Sequence, residues 1–241
     1  MNPETKQRIQ VALGAAILIA GGRTAYILYE RHEAAQPLVK KEAALNADYY
    51  VTPRRLHAYD LQSAKELTRQ PVWVKEGYRY AYYVFNRGRV DFKKEAGLLL
   101  PIEKLQITDV ITQPAPGVPG QKQLMAIFEK EGRSYAVPIG SVKGGNYQIY
   151  ADEMLYIQDP HELYKHWKPE TWAAIEHHQV KPGMNELQAD FAIGMGVPQA
   201  SSDPQAVKTV NYPNGGRPVT VTYENGKATV VREEAGAGAD F

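Results

Sequence analysis

The sequence predicts an α+β protein with an amino-terminal transmembrane helix, a β-rich middle domain of SH3-like barrel type, and a carboxy-terminal unit of two helices and a three-stranded antiparallel meander. Three observations carry this. The chain opens on an apolar stretch, Ile9 to Tyr29, with Arg23 as its one charge. Short apolar segments rich in β-branched and aromatic residues then follow one another from Leu98 to Ile157, separated by Pro/Gly turn signals. The last third alternates two capped helical runs with strand-like runs closed by Asn225-Gly226, a strong hairpin signal.

Composition narrows the function classes. Hydrophobic residues make up 44% and charged residues 23%, ordinary for a globular chain. The net charge of +1 removes a global electrostatic case for nucleic acid, so no nucleic-acid partner is expected. There is no cysteine, which excludes disulfides, thiolate metal sites, a cysteine nucleophile and a lipidated cysteine.

At ~1.5 Å rise per residue, Ile9 to Tyr29 reaches ~30 Å, the thickness of a bilayer core. A signal peptide would use Lys6 and Arg8 as its basic flank and end near Ala20 and Gly22. The apolar run continues past Arg23 through Tyr26, Ile27, Leu28 and Tyr29, which a cleaved signal does not require. The stretch is therefore read as an uncleaved anchor with interfacial tyrosines. The expectation is a single-pass inner-membrane protein with the membrane as a partner through Ile9–Tyr29 and the bulk of the chain periplasmic.

The predicted organisation is a short cytoplasmic tail at 1–8, the anchor at 9–29, a linker at 30–48, the middle domain at 49–158, an α/β module at 159–232 and a flexible tail at 233–241. In the middle domain Asp60 caps a helical run that Pro71 closes. Tyr78, Tyr80, Tyr82 and Val84 then alternate with Arg79, Ala81, Tyr83 and Phe85, the period of a strand. Exposed tyrosines on such a strand, joined by Tyr147, make Tyr78, Tyr80, Tyr82 and Tyr147 the candidate partner-binding residues. The segments from Leu98 to Ile157 read as five short strands, hence the barrel.

Asp159-Pro160 starts one helix and Lys168-Pro169 another, with Trp172 and Ile175 spaced for one apolar face. His161 and His166 lie five apart, ~140° around a helix, so they do not share a metal. The adjacent His177 and His178 point in different directions and lie near no nucleophile motif. There is no phosphate loop, dinucleotide fingerprint or nucleophile elbow. No catalytic, cofactor-binding or metal site is therefore predicted, and the chain is not expected to be an enzyme.

From Val180 onward, Asn185 and Gln188 have capping-box spacing, Gly194 or Gly196 stops the helix, and Pro198 prevents its continuation. The set Val180, Gly183, Met184, Gln188, Gly196, Pro198, Asn225, Gly226 and Lys227 resembles the BamE/SmpA-like family of outer-membrane assembly lipoproteins, over roughly residues 172–232. The resemblance implies a two-helix, three-strand fold, a cell-envelope location and a non-enzymatic, protein-contacting role. Family members carry a lipidated cysteine that this chain lacks. The expected function is a membrane-anchored envelope protein with an interaction or scaffold role, with an envelope protein as partner. The alternatives are a cell-wall or ligand-binding module built on the SH3-like segment, and a hydrolase using His177 or His178.

Overall fold

The computed structural model describes residues 14, 18–31, 47–200 and 207–233. It separates into two compact units, Met1–Asn46 and Ala47–Phe241. In the first, residues 18–31 are helical with exposed side chains, and Thr24 donates to the Ala20 carbonyl at 2.9 Å.

This overturns the predicted anchor. Among the described residues no helix is long and apolar enough to cross a membrane. Residues 18–31 hold Gly21-Gly22, Arg23, Glu30 and Arg31. The membrane partner, the single-pass inner-membrane placement and the periplasmic orientation are withdrawn with it. The rest of the predicted span (9–13 and 15–17), the tail 1–8, most of the linker (32–46) and residues 234–241 lie outside the described residues.

The second unit is built of antiparallel sheets. In chain order its strands are β1 (Val72–Val74), β2 (Ala81–Asn86), β3 (Arg89–Leu98), β4 (Lys104–Leu105), β5 (Ile107–Pro114), β6 (Gln121–Lys130), β7 (Arg133–Lys143), β8 (Asn146–Ile149), β9 (Leu155–Tyr156), β10 (Val197–Pro198), β11 (Val207–Tyr212), β12 (Val219–Glu224) and β13 (Lys227–Glu233). Its helices are α1 (Leu61–Ala64), α2 (Ala151–Met154), α3 (Pro160–Leu163), α4 (Pro169–Glu176) and α5 (Glu186–Ile193).

The large sheet runs β3-β2-β7-β6-β5, with β8 also on β7. It is open: β3 and β5 are its edges, and no SH3-like barrel closes. The runs read as short separate strands are long ones, β6 and β7 of 10 and 11 residues, joined through the tight turn Glu131-Gly132. β1, β4 and β9 form a separate three-stranded sheet in the order β4-β1-β9. The carboxy-terminal sheet has four strands in the order β10-β11-β12-β13, rather than three, because Val197-Pro198 pairs with Asn211 and Val210.

Two cores share a wall. Strand alternation sends Leu124, Ala126 and Phe128 of β6 into one core, with Ala64 and Leu67 from the helical turns and Met154 from α2. The other core gathers Trp167, Trp172, Phe191, Tyr212 and Tyr223 from the helices and the carboxy-terminal sheet. The small sheet lies between them. Val72, Val74 and Leu155 face the first core, while their neighbours Trp73 and Tyr156 face the second. A smaller cluster, Met125, Ile127 and Ala136, occupies the opposite face of the large sheet beneath Tyr83 and Phe92.

Local signals place these elements. Asp60 caps α1, accepting from the Ser63 amide at 2.7 Å while Ser63 Oγ accepts from the Asp60 amide at 3.0 Å. Asn185 and Gln188 form the reciprocal box at α5, both bonds 2.9 Å. Asn225 and Gly226 take φ of 50° and 73°, the two left-handed positions of a tight hairpin turn.

Candidate functional site

The predicted tyrosine platform does not form. Tyr78 takes φ 60°, so the strand starts only at Ala81 and the alternation read from the sequence fails there. The Tyr78 ring packs against Gly215 and Gly194. Tyr80 is half-buried and donates to Glu76 Oε2 at 3.2 Å; burial, aided by the Glu76 carboxylate, pushes its hydroxyl up to about 12. Tyr82 is buried edge-on to Tyr135 and Phe128 at 5.0 and 5.6 Å. Tyr147 is exposed on β8, opposite Val142 of β7.

A cleft of ≈ 230 Å³ lies where the wall meets the helices. One side is the turn Leu100–Glu103. The turn is rigid: Ile102 donates to the Val74 carbonyl and Val74 to the Glu103 carbonyl, both at 3.0 Å. Glu103 accepts from the Leu100 amide at 2.8 Å and from Lys130 Nζ at 2.7 Å. Gly77 lets Pro101 come close, since a Cβ there would lie 2.2 Å from the Pro101 nitrogen.

The facing side is His161, Trp172, Ile175, Glu176 and His178. Asp159 caps α3 by accepting from the His161 amide at 2.9 Å and also contacts His161 Nδ1 at 2.9 Å. His161 Nε2 lies 3.3 Å from Glu176 Oε1, and the ring stacks on Trp172 at 4.0 Å. His178 takes φ 53° and its Nδ1 lies 3.0 Å from the Ala192 carbonyl. A carbonyl only accepts, so Nδ1 carries the proton and Nε2 of the neutral ring is the free acceptor. His177 Nδ1 is likewise spent on the Ala173 carbonyl, at 2.6 Å.

The lining thus offers apolar walls, an imidazole acceptor and two carboxylates, with no hydroxyl or thiol to act as a nucleophile. His161 and His166, five residues apart, have different partners, since His166 Nε2 meets Asp48 Oδ1 at 2.6 Å. No family model, curated protein or solved structure matches this chain.

The residues that carry the BamE/SmpA-like resemblance have structural tasks here. Gly183 and Met184 pair with Ala228 of β13, the amide of Gly183 donating at 2.8 Å and the carbonyl of Met184 accepting at 2.7 Å. Gln188 completes the α5 cap, and Gly196 lies against Val210 and Tyr212.

A second polar cluster was not visible in the sequence. Asp190 of α5 is largely buried beside Glu186, Lys208, Tyr212 and Tyr223. Burial, reinforced by the Glu186 carboxylate, raises the Asp190 carboxyl from 3.8 to about 7, against hydrogen bonds from the Gly196 amide and the Tyr212 hydroxyl. Tyr212 and Tyr223 share a 2.7 Å hydroxyl contact, and Lys208 Nζ pairs with Glu186 at 2.6 Å.

A carboxyl that is harder to ionise folded than unfolded destabilises the fold as pH rises between the two values. Stability from this group is complete below pH ~4 and is lost progressively up to pH ~7. Asp190→Asn keeps an acceptor for both donors and removes the cost of ionisation. It should stabilise by about 2 kcal/mol at pH 8 and by nothing measurable at pH 4, in urea unfolding at both pH values.

Proposed function

We propose that residues 47–233 act as a non-enzymatic protein-interaction module that receives an apolar side chain of a partner in the cleft between Leu100–Glu103 and α3–α4. The observation that carries this is the lining: Ile102, Pro101 and Ile175 form the walls, while the polar atoms are mostly held by neighbours within the protein. Among the described residues, His178 Nε2 is the cleft imidazole nitrogen without a hydrogen-bond partner, and it can accept from the bound segment. The resemblance over residues 172–232 supports the same protein-contacting role.

The test uses a photo-crosslinking residue at Glu176, on the cleft rim, and at Lys122, exposed on β6 away from it. Ile102→Asn is the companion variant. Ile102 sits at φ 55°, which asparagine tolerates better than a β-branched residue, so the fold should lose less than about 1 kcal/mol while the apolar wall is removed. The expected outcome is one discrete adduct from the Glu176 site, absent from the Lys122 site and lost with Ile102→Asn. The same adduct from both positions, or one indifferent to Ile102→Asn, contradicts the proposal.

A further inference from the structure

Residues 47–60 form a strap with a sorted set of side chains. After the 3-10 turn Ala47–Tyr50 the backbone runs to Tyr59 without regular structure. It is nevertheless fixed by side chains from elsewhere in the fold. Asp152 accepts from the Leu56 amide at 2.6 Å and the His57 amide at 2.8 Å, and Gln158 Oε1 accepts from the Arg54 amide at 2.8 Å. His57 is held at φ 53°.

The two acidic residues of the strap are spent internally. Asp48 meets His166, Trp167 and Asn185, and Asp60 caps α1. Apart from Ala47 and Thr52, the exposed side chains are basic or aromatic: Arg54, Arg55, His57 and three tyrosines, with Tyr49, Tyr50 and Tyr59 exposed by 80%, 69% and 76%. Arg55 lies near Lys75, whose charge is offset by Asp152, Glu76 and Glu153. At Tyr59 the strap enters a polar groove of ≈ 350 Å³ whose lining is of mixed charge, with Lys65 and Arg69 beside Asp60 and Glu66.

We infer that this strap is a docking surface for an acidic segment of a partner protein. Tyrosine and arginine are the residue types that dominate interface energetics, and a strap whose backbone is already held in place loses little entropy on binding. Within the strap the exposed charged side chains, Arg54 and Arg55, are both positive, which selects an acidic partner. A nucleic acid fits less well, because two arginines neutralise too few phosphates to hold a strand. The strap is a different surface from the cleft, and the inference stands whether or not the cleft binds.

The experiment is fluorescence anisotropy with the full chain and three labelled probes: the peptide (Glu-Leu)5, the peptide (Lys-Leu)5 and the oligonucleotide dT15. The acidic peptide should bind, and Arg54→Glu with Arg55→Glu should weaken it by about tenfold or more. Tyr49→Ala with Tyr50→Ala should weaken it by about fivefold. All four positions are exposed, so unchanged thermal midpoints will separate lost binding from lost folding. Binding of the acidic peptide that survives the charge reversal, equal binding of the basic peptide, binding of dT15 alone, or no binding by the acidic peptide each overturns the inference.

Discussion

Phe128→Ala will lower the free energy of unfolding by about 4 kcal/mol, and tryptophan fluorescence will report the full loss. Phe128 is fully buried in the first core, edge-on to Tyr82 at 5.6 Å and beside Tyr135 at 5.9 Å. Its removal leaves a cavity against a long strand whose ladder cannot collapse around it. The chain's three tryptophans, Trp73, Trp167 and Trp172, all lie in the second core. Their emission therefore senses Phe128 only through the shared wall, where Val72 and Val74 face one core and Trp73 the other. Circular dichroism and fluorescence should give one coincident, shifted urea transition. A fluorescence midpoint that stays at the parental value while the dichroism midpoint falls would show that the wall does not couple the cores.

Asp48→Ala will cost about 3 kcal/mol, although the residue sits only two positions into the compact unit. The Asp48 side chain is 8% exposed. Its Oδ1 accepts from Trp167 Nε1 at 2.6 Å and meets His166 Nε2 at 2.6 Å, while Oδ2 accepts from Asn185 Nδ2 at 2.7 Å. Alanine leaves the buried indole N–H and the amide of the α5 cap without this acceptor, and their desolvation is no longer offset. Trp167 also anchors the aromatic cluster, 4.5 Å from Tyr164 and 5.2 Å from both Trp172 and Phe191. Asp48→Asn retains one acceptor oxygen and should cost about half as much. Chemical denaturation followed by fluorescence measures both variants. Equal stability of Asp48→Ala and the parent would show that this hub contributes nothing to the fold.

What could be read from the sequence was local. Asp60, the pair Asn185 and Gln188, and Asn225-Gly226 act within a few residues of themselves, so their caps and turns follow from spacing alone. Longer-range features were not legible. The apolar count over Ile9 to Tyr29 suggested a span, yet among the described residues no helix is long and apolar enough to cross a membrane. Period two in Tyr78 to Val84 suggested a face, but a single left-handed residue at Tyr78 rotates the strand start and sends Tyr82 into the core. Strand number suggested a barrel, whereas pairing decides closure, and β1, β4 and β9 form a separate sheet. The cleft is assembled from 100–103 and 161–178, and the Asp48 hub from residues more than a hundred positions apart. No spacing rule reaches that far. The clearest hint in retrospect is Pro101 with Gly77, a close backbone approach that marks where the turn is pressed against the wall.

The central claim is that the cleft takes an apolar side chain, and methyl NMR tests it most directly. Ile102 and Ile175 report from opposite sides of the cleft, and Met125 reports from the far face of the large sheet. Titration with N-acetyl-leucinamide or N-acetyl-tryptophanamide should shift both isoleucine methyls saturably, with Kd of about 1 mM, and leave Met125 still. N-acetyl-aspartamide should move none of them. Isoleucine methyls that stay in place with both apolar probes, or shifts confined to Met125, would contradict the account.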